Sequence, residues 1–353
     1  MAVRQSSELA IYRQADTVCY VLLENSRPAE VLFDPPGPLI HRQDIYLGQV
    51  RQVLPALDCA FVDIGSGHDG MLPLSEAPEN LKPGRPLIVQ IKKEAAAGKG
   101  HPLTTHIQLP GPYAVFKPGG INKRRSKLLA FSPDEQDRLY AENLNSLQQT
   151  WSNLVADSQQ GPVPRLLLDV GKPLLTALNS FVSPVLQQIR VEGEDLYDAC
   201  YQAMVQLMPA FRHLLHAFVP SAGYGLAAVL SLTDLQESLV RRKVWLGNGG
   251  TLMIERTEAM TVIDVNSGKD TQSRTKDSLR LRTNLLATEE IARQLRLRNL
   301  GGIVVIDFIN LENDADRTAV QAALQTALES DRAPCRLLGY TALGLFEMTR
   351  TAL

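Results

Sequence analysis

The chain has 353 residues, 44% of them hydrophobic and 21% charged, with 36 Lys and Arg against 38 Asp and Glu for a formal net charge of −2. That length is enough for roughly two to four compact domains with their own cores. The near-neutral balance excludes a generally basic surface, so any contact with a polyanion has to come from local clusters.

Four cysteines, Cys19, Cys59, Cys200 and Cys335, lie far apart without Cys-x-x-Cys spacing. They exclude a zinc knuckle and fit a reduced, cytoplasmic protein with buried free thiols. The opening MAVRQSSELAIYRQ lacks the order of a secretory signal. No apolar run approaches the ~18 residues of a membrane span, because HLLHAFVPSAGYGLAAVLSL is broken by Pro220 and Gly223.

Strand-like LAIYRQ and TVCYVLLEN open the chain, and the proline-rich DPPGPLIHRQD reads as a boundary. From there to about residue 116, IYLGQVRQVL, CAFVDIG, GMLPL, RPLIVQIKKE, PLTTHIQL and YAVFKP alternate with glycine and proline turns, the spacing of a small all-β barrel. The basic knot INKRRSK, with Lys123, Arg124, Arg125 and Lys127, precedes a predicted helix over about 133–157. RLLLDVG, PLLTALNSFV, QQIRVEG and LYDACYQAMVQLM then mix strands and helices, closing on a helix near TDLQESLVRRKVW. In the last hundred or so residues, GGTLMIERTEAMTVIDVNSG predicts a hairpin and KDSLRLRTNLLATEEIARQLRLRN an amphipathic helix stopped by Gly301 and Gly302. IVVIDFI is a buried strand, followed by a helix over about 315–330 and a final strand CRLLGY.

Strand, helix, strand from residue 260 to 309 is a βαβ unit, which makes its two strands parallel and neighbouring. Each carries one Asp near its C-terminal end, where α/β sheets place ligands. Period-two alternation sets Val262, Asp264 and Asn266 on one face, and Asp307 falls beside Asp264 if the register agrees. Carboxylates on strands ~4.8 Å apart repel unless a divalent cation sits between them. Mg²⁺ in phosphoryl chemistry is held in this way, and Asn266 could orient Asp264. The same residues also fit strand ends satisfied by backbone amides or a nearby Arg. His213 and His216 share a helical spacing but have no accompanying ligand pattern, which points to a structural role. GSGHDG around His68 is a turn between strands rather than a phosphate cradle.

VIDVNSG, RTNLLATEEIARQLRLRNLGGIVVIDFINL and LGLFEMTR resemble the catalytic region of the ribonuclease E/G family. IYLGQVRQVLPALDCAFVDIGSGHDGMLPLSEA and VQIKKEAAAGKGHPLTTHIQL resemble that family's inserted OB-fold RNA-binding domain. The resemblance implies an α/β, α+β multidomain chain: an RNase H-like domain over 1–38 and 164–243, the OB-fold insertion over 39–117, a shortened sensor-like region over 118–163 and a DNase I-like catalytic domain over 244–353. It implies that Asp264 and Asp307 bind Mg²⁺, with Mn²⁺ as a substitute, and that Asn266 positions Asp264. By the resemblance RNA would meet Phe61, Lys93 and Lys99; Lys123, Arg124 and Arg125 read either as further RNA contacts or as solvated charges, and Arg274, Lys276, Arg280 and Arg282 either line the phosphate path, tempered by Asp277, or solvate the start of the helix. Met71 stands where the family usually has a second aromatic.

Two features depart from the family. The Val-Arg-Thr segment that grips a 5′-monophosphate has no counterpart, and Ala342-Leu343-Gly344 stands where Arg-Phe-Gly is usual. The Cys-Pro-x-Cys zinc-link would follow EMTR beyond Leu353, so no structural zinc is expected and a homodimer is the assembly left open. The implied function is a cytoplasmic endoribonuclease that cuts single-stranded RNA in rRNA or mRNA processing without reading the 5′ end. The alternative is a noncatalytic RNA-binding protein of the same fold.

Overall fold

The computed structural model describes residues 6–36, 40–93, 95, 98–125, 128–129, 131–183, 185–221, 223–268 and 276–352. The chain forms two compact units, Met1–Tyr20 with Leu32–Leu226 and Val21–Val31 with Ala227–Leu353.

The chain opens with β1 (Ser7–Gln14) in the first unit, followed by β2 (Thr17–Glu24) and β3 (Arg27–Asp34), whose residues 21–31 belong to the second. Asn25 and Ser26 take left-handed φ of 50° and 61° in the two-residue turn between β2 and β3, the twist-matched hairpin turn. The barrel strands follow: β4 (Ile45–Leu54), β5 (Cys59–Asp63), β6 (Gly70–Pro73), β7 (Pro86–Ile91) and β8 (Leu103–Thr104). They pair antiparallel in the order β6-β5-β4-β7-β8. The Met71 N–H donates to His101 O at 2.9 Å, bringing the first strand of that order against the last and nearly closing the barrel. Val50, Val62, Ile64, Leu72, Val89, Ile91 and Leu103 fill the interior. A Cβ on Gly70 would lie 2.6 Å from Leu103 Cδ1, so only glycine lets the closing strands approach.

Three short strands, β9 (Leu109–Pro110), β10 (Ala114–Phe116) and β11 (Lys123–Arg124), form a small sheet beside α1 (Pro133–Ser158). Pro133 at the first helical position and a capping box between Ser132 and Glu135 start α1. Asn143 on its buried face accepts from the N–H groups of Tyr113 and Ala114 at 3.1 and 2.9 Å. Leu147 and Leu154 pack with Ile45, Ile107 and Phe116.

The unit continues with β12 (Arg165–Leu168), which pairs with β4, then α2 (Pro173–Phe181), β13 (Leu186–Glu192), α3 (Glu194–Leu207) and β14 (Leu215–Phe218). Strands β14-β13-β1-β2-β3 form a five-stranded sheet in which β13 is parallel to both β1 and β14. His213 and His216 do not share a helix. His213 lies in the 3-10 turn Pro209–Leu214, with its ring Nδ1 3.0 Å from Ala210 O, and His216 lies in β14, because Pro209 ends the helical run. Cys200 on α3 is buried, and burial pushes its thiol up to about 12, so it is an inert core residue.

The second unit holds α4 (Leu226–Val229) in all but its first residue, α5 (Leu235–Val240), β15 (Lys243–Trp245), β16 (Thr251–Arg256), β17 (Met260–Asn266), α6 (Lys276–Leu297), β18 (Gly302–Asp307), α7 (Asp314–Leu328), β19 (Cys335–Tyr340) and β20 (Phe346–Arg350). Lys243, Val244 and Trp245, read from sequence as the end of a helix, are instead an edge strand paired with β16. The β-branched and aromatic side chains and the partner strand outweigh the helical pattern before them.

These strands make one mixed sheet, β15-β16-β17-β18-β20-β19. Leu252, Ile254, Ile263, Val265, Val304, Ile306, Phe346 and Met348 cluster with Ala287, Ile291 and Leu295 of α6 and Val320 and Leu324 of α7. The alternate residues Met260, Val262, Asn266, Ile303 and Asp307 are exposed on the opposite face. Helices therefore cover one face, and alternation delivers the polar positions to the other.

Buried charge in this unit is paired. Glu24 receives two hydrogen bonds from Arg296, at 2.8 and 2.5 Å, and Glu290 accepts from Arg27 at 2.7 Å and Gln294 at 2.8 Å. Burial alone would raise the Glu290 carboxyl, but Arg293, Gln294 and Arg27 outweigh it and hold it below the usual carboxylate range. Arg350 is fully enclosed: its guanidinium meets both Asp331 oxygens at 2.7 and 3.1 Å and donates to Leu300 O at 2.8 Å. Removing one partner strands a buried charge, so Asp331→Ala is expected to cost about 3–5 kcal/mol of unfolding free energy. Urea titration against the wild type measures it.

Candidate active site

The parallel pairing of β17 and β18 runs from Met260 opposite Ile303 to Asp264 opposite Asp307. The two acids are thus direct register partners at the C-terminal ends of adjacent strands, ~4.8 Å apart in the hydrogen-bonding direction. Asp264 is half-buried and Asp307 exposed. The Asn266 Nδ2 donates to Asp264 Oδ2 at 2.6 Å, which fixes one carboxylate oxygen. Among the described residues neither acid has an ion-pair partner, so the donor set is two hard carboxylates facing outward. That set suits a hard divalent cation completed by water and phosphate oxygens.

Two buried polar residues of α6 hold the ends of these strands. Asn284 accepts from Ile309 N at 3.0 Å and donates to Ile309 O at 2.8 Å, pinning the chain two residues beyond Asp307. Thr283 accepts from Asn248 Nδ2 at 2.8 Å, and Asn248 Oδ1 in turn accepts from Gly250 N at 3.1 Å. The Gly249-Gly250 turn so held lies against the end of VIDVNSG: a Cβ on Gly268 would fall 2.3 Å from the Gly249 carbonyl carbon. Glycine is required there by close backbone approach. Thr283 and Asn284 are positioning residues that sequence reading passed over. Their signal was a polar pair inside an otherwise apolar helical face.

The open face carries two more residues that the sequence did not single out. Lys243 faces Met253, which faces Asp264, while Trp245 faces Thr251, which faces Asn266. Register partners share a face, so Lys243 stands two strands, ~10 Å, from Asp264 and Trp245 the same from Asn266, with Asp307 one strand further. Trp245 is 64% exposed, and the Lys243 Nζ sits 4.2 Å from its ring centroid, a cation–π contact. The signal was Lys-Val-Trp at strand period, masked by the helix before it.

The other named residues are distributed as follows. Arg280 is shared between Asp277 at 3.3 Å and Glu312 at 3.6 Å, and Arg282 is exposed and engaged. Lys276 opens α6. Arg274 and Lys127 lie outside the described residues. In the first unit, Phe61 on β5 is half-buried and pairs directly with Met71 on β6, so the residue replacing the second aromatic is its cross-strand neighbour. Lys93 and Lys99 are exposed in the connection from β7 to β8, whose far end meets Met71. Lys123 is exposed. Arg124 pairs with Asp137 at 2.6 Å and covers the Tyr140 ring at 4.5 Å, so much of its capacity is spent on α1. Arg125 donates its N–H to Tyr113 O at 2.9 Å. The structure brings Asp264, Asn266 and Asp307 into one site. Phe61, Lys93 and Lys99 belong to the barrel, and Lys123, Arg124 and Arg125 to the small sheet and the turn after it.

The chain is thus a mixed α/β protein combining a nearly closed, OB-like antiparallel barrel with a mixed sheet that presents two acids in register. Residues 132–353 match the Ribonuclease E/G family. Ribonuclease G of Escherichia coli (strain K12) is 34% identical over 358 residues, covering 87% of this chain and 72% of that protein. Ribonuclease E of Haemophilus influenzae and of Escherichia coli (strain K12) are each 29% identical over 96% of this chain, which spans 41% and 36% of their lengths. The chain belongs to the ribonuclease E/G family.

The Asn284 clamp can be tested directly. Asn284→Ala leaves the N–H and C=O of half-buried Ile309 without their side-chain partner, an expected loss of about 1–3 kcal/mol. Urea unfolding of the variant measures it.

Proposed function

We propose that this protein is an endoribonuclease that hydrolyses phosphodiester bonds of single-stranded RNA, using Mg²⁺, with Mn²⁺ as a substitute, held by Asp264 and Asp307. The observation that carries the proposal is the register of these two acids on adjacent parallel strands. Membership of a family whose similar members are named ribonucleases supports it. When bound, a divalent cation supplies Lewis-acid stabilisation of the charge that develops on the phosphoryl oxygens.

The chain's own residues do the rest. Asn266 holds one oxygen of Asp264 and leaves the other to face outward with Asp307. Trp245 offers a ring on which a base one or two nucleotides from the scissile phosphate stacks, and Lys243 places a cation beside it. Phe61 with Met71, and Lys93 and Lys99, form a second RNA contact on the OB-type barrel; Lys123, Arg124 and Arg125 add a basic strip beside α1. The five-stranded sheet is read as the RNase H-like part over 1–38 and 164–243, the barrel as the insertion over 39–117, and 244–353 as the DNase I-like catalytic domain. No helix among the described residues is long and apolar enough to cross a membrane.

A fluorescent single-stranded RNA with Mg²⁺ tests the activity. Asp264→Asn and Asp307→Asn are each expected to lower kcat by roughly 100-fold or more while leaving RNA affinity near that of the wild type. Trp245→Ala is expected to weaken binding by about 1–3 kcal/mol. Cleavage that survives both acid substitutions would overturn the reading.

Without the Val-Arg-Thr segment and the Arg of Arg-Phe-Gly, no paired Arg donors distinguish a 5′-monophosphate. The same oligonucleotide with a 5′-monophosphate, 5′-hydroxyl or 5′-triphosphate is expected to give kcat/KM values within about threefold of one another. A strong preference for the monophosphate would place the sensing role on another basic group, with Lys123, Arg124 and Arg125 the first to substitute.

A further inference from the structure

We propose that His41, Asp44 and Asp169 in the first unit form a binding site for a divalent transition-series cation, with Zn²⁺ the best fit. The cysteine spacing had no bearing on such a site, because its donors are imidazole and carboxylate.

The distances are those of ligands rather than of hydrogen-bonded partners. His41 Nδ1 lies 3.6 Å from Asp44 Oδ2 and 3.4 Å from Asp169 Oδ1, and one ligand atom from each residue falls within 4.8 Å of the other two. A hydrogen bond of this kind is ~2.7–3.2 Å long. Two donors held ~2.1 Å from a tetrahedral zinc stand ~3.4 Å apart. Both ring nitrogens of His41 and Oδ1 of Asp169 are out of contact with water and have no hydrogen-bond partner. Each such atom costs about 1–3 kcal/mol if left so, and a cation between them relieves Nδ1 and Asp169 Oδ1 together.

The rest of the site is built to hold this arrangement. The Asp44 side chain is 1% exposed, and backbone N–H groups fix both its oxygens, His41 N to Oδ2 at 2.7 Å and Gly171 N to Oδ1 at 2.9 Å. Each oxygen keeps a second lone pair for a metal. A Cβ on Gly171 would lie 2.4 Å from His41 Cβ and 2.3 Å from Arg42 O, so the two chain segments are pressed together with no room for a side chain. A cleft of about 590 Å³ reaches His41 and Asp169 and is also lined by Asp34, Ser66 and Lys172. A fourth ligand, water or a small anion, enters from there. An imidazole with two carboxylates suits Zn²⁺, Co²⁺ or Mn²⁺, whereas Mg²⁺ prefers oxygen-only octahedra and sheds water reluctantly.

The rival occupant is a proton shared within the cluster, with no metal. Equilibrium dialysis of the chelator-stripped full chain against Zn²⁺, with Co²⁺ absorption as a coordination readout, separates the two. The Asp264→Asn/Asp307→Asn variant is expected to retain about one Zn²⁺ per chain and a four-coordinate Co²⁺ spectrum, with a higher melting temperature when Zn²⁺ is present. His41→Ala and, separately, Asp169→Asn are expected to weaken retention by roughly tenfold or more, with circular dichroism showing that each is folded. Wild-type retention no greater than that of a folded His41→Ala/Asp169→Asn double variant overturns the proposal. So does retention that survives these substitutions and vanishes only in Asp264→Asn/Asp307→Asn, which would assign the cation to the acid pair instead.

Discussion

The second unit of this chain depends on one pairing, the parallel register of β17 with β18. The side-chain period of a strand is two, so a slip of one residue would turn Asp264 and Asn266 into the helix-packed core and bring Ile263 and Val265 to the surface. The buried alternates Ile263, Val265, Val304 and Ile306 prevent that slip, because each is enclosed against α6 and α7. Apolar burial on one face thereby places two like charges side by side on the other. That arrangement contributes nothing to packing, since two like charges repel.

Order in this sheet is reinforced by polar groups that are buried but satisfied. Asn284 binds both the donor and the acceptor of Ile309, and Thr283 holds the turn against which Gly268 lies. Arg350 does the same for β20 through Asp331 and Leu300 O. These contacts are geometric rather than strong, since a net hydrogen bond contributes only ~1 kcal/mol. Their effect is to leave a single arrangement of the strand ends, and with it one placement of the two carboxylates.

The first unit solves a different problem with similar means. A short antiparallel sheet has exposed edges that invite pairing with other chains, and the bridge from Met71 to the β8 end removes most of that edge. Closure needs Gly70 and sets half-buried Phe61 beside exposed Met71, so the constraint that closes the barrel also shapes its outer surface. The crossing of residues 41–44 with 169–171 places an imidazole and two carboxylates where neither water nor a hydrogen bond reaches all of them.

Much of this was legible in the sequence. Alternation in TVIDVNSG and IVVIDFI, with a helical period between them, determined a βαβ unit and the face each Asp would take, because periodicity is a local property of the chain. The glycine-punctuated short strands likewise determined a small β barrel. The tertiary structure decided what depends on partners distant along the chain: the register that sets Asp264 opposite Asp307, the conversion of Lys243-Val244-Trp245 from a helix end to an edge strand, and the engagement of Arg124 and Arg280 by acids on other turns. It also decided the meeting of His41 and Asp44 with Asp169. Those three residues belong to segments whose separate patterns carry no trace of one another, and only the packing of β12 against β4 brings them within ligand distance.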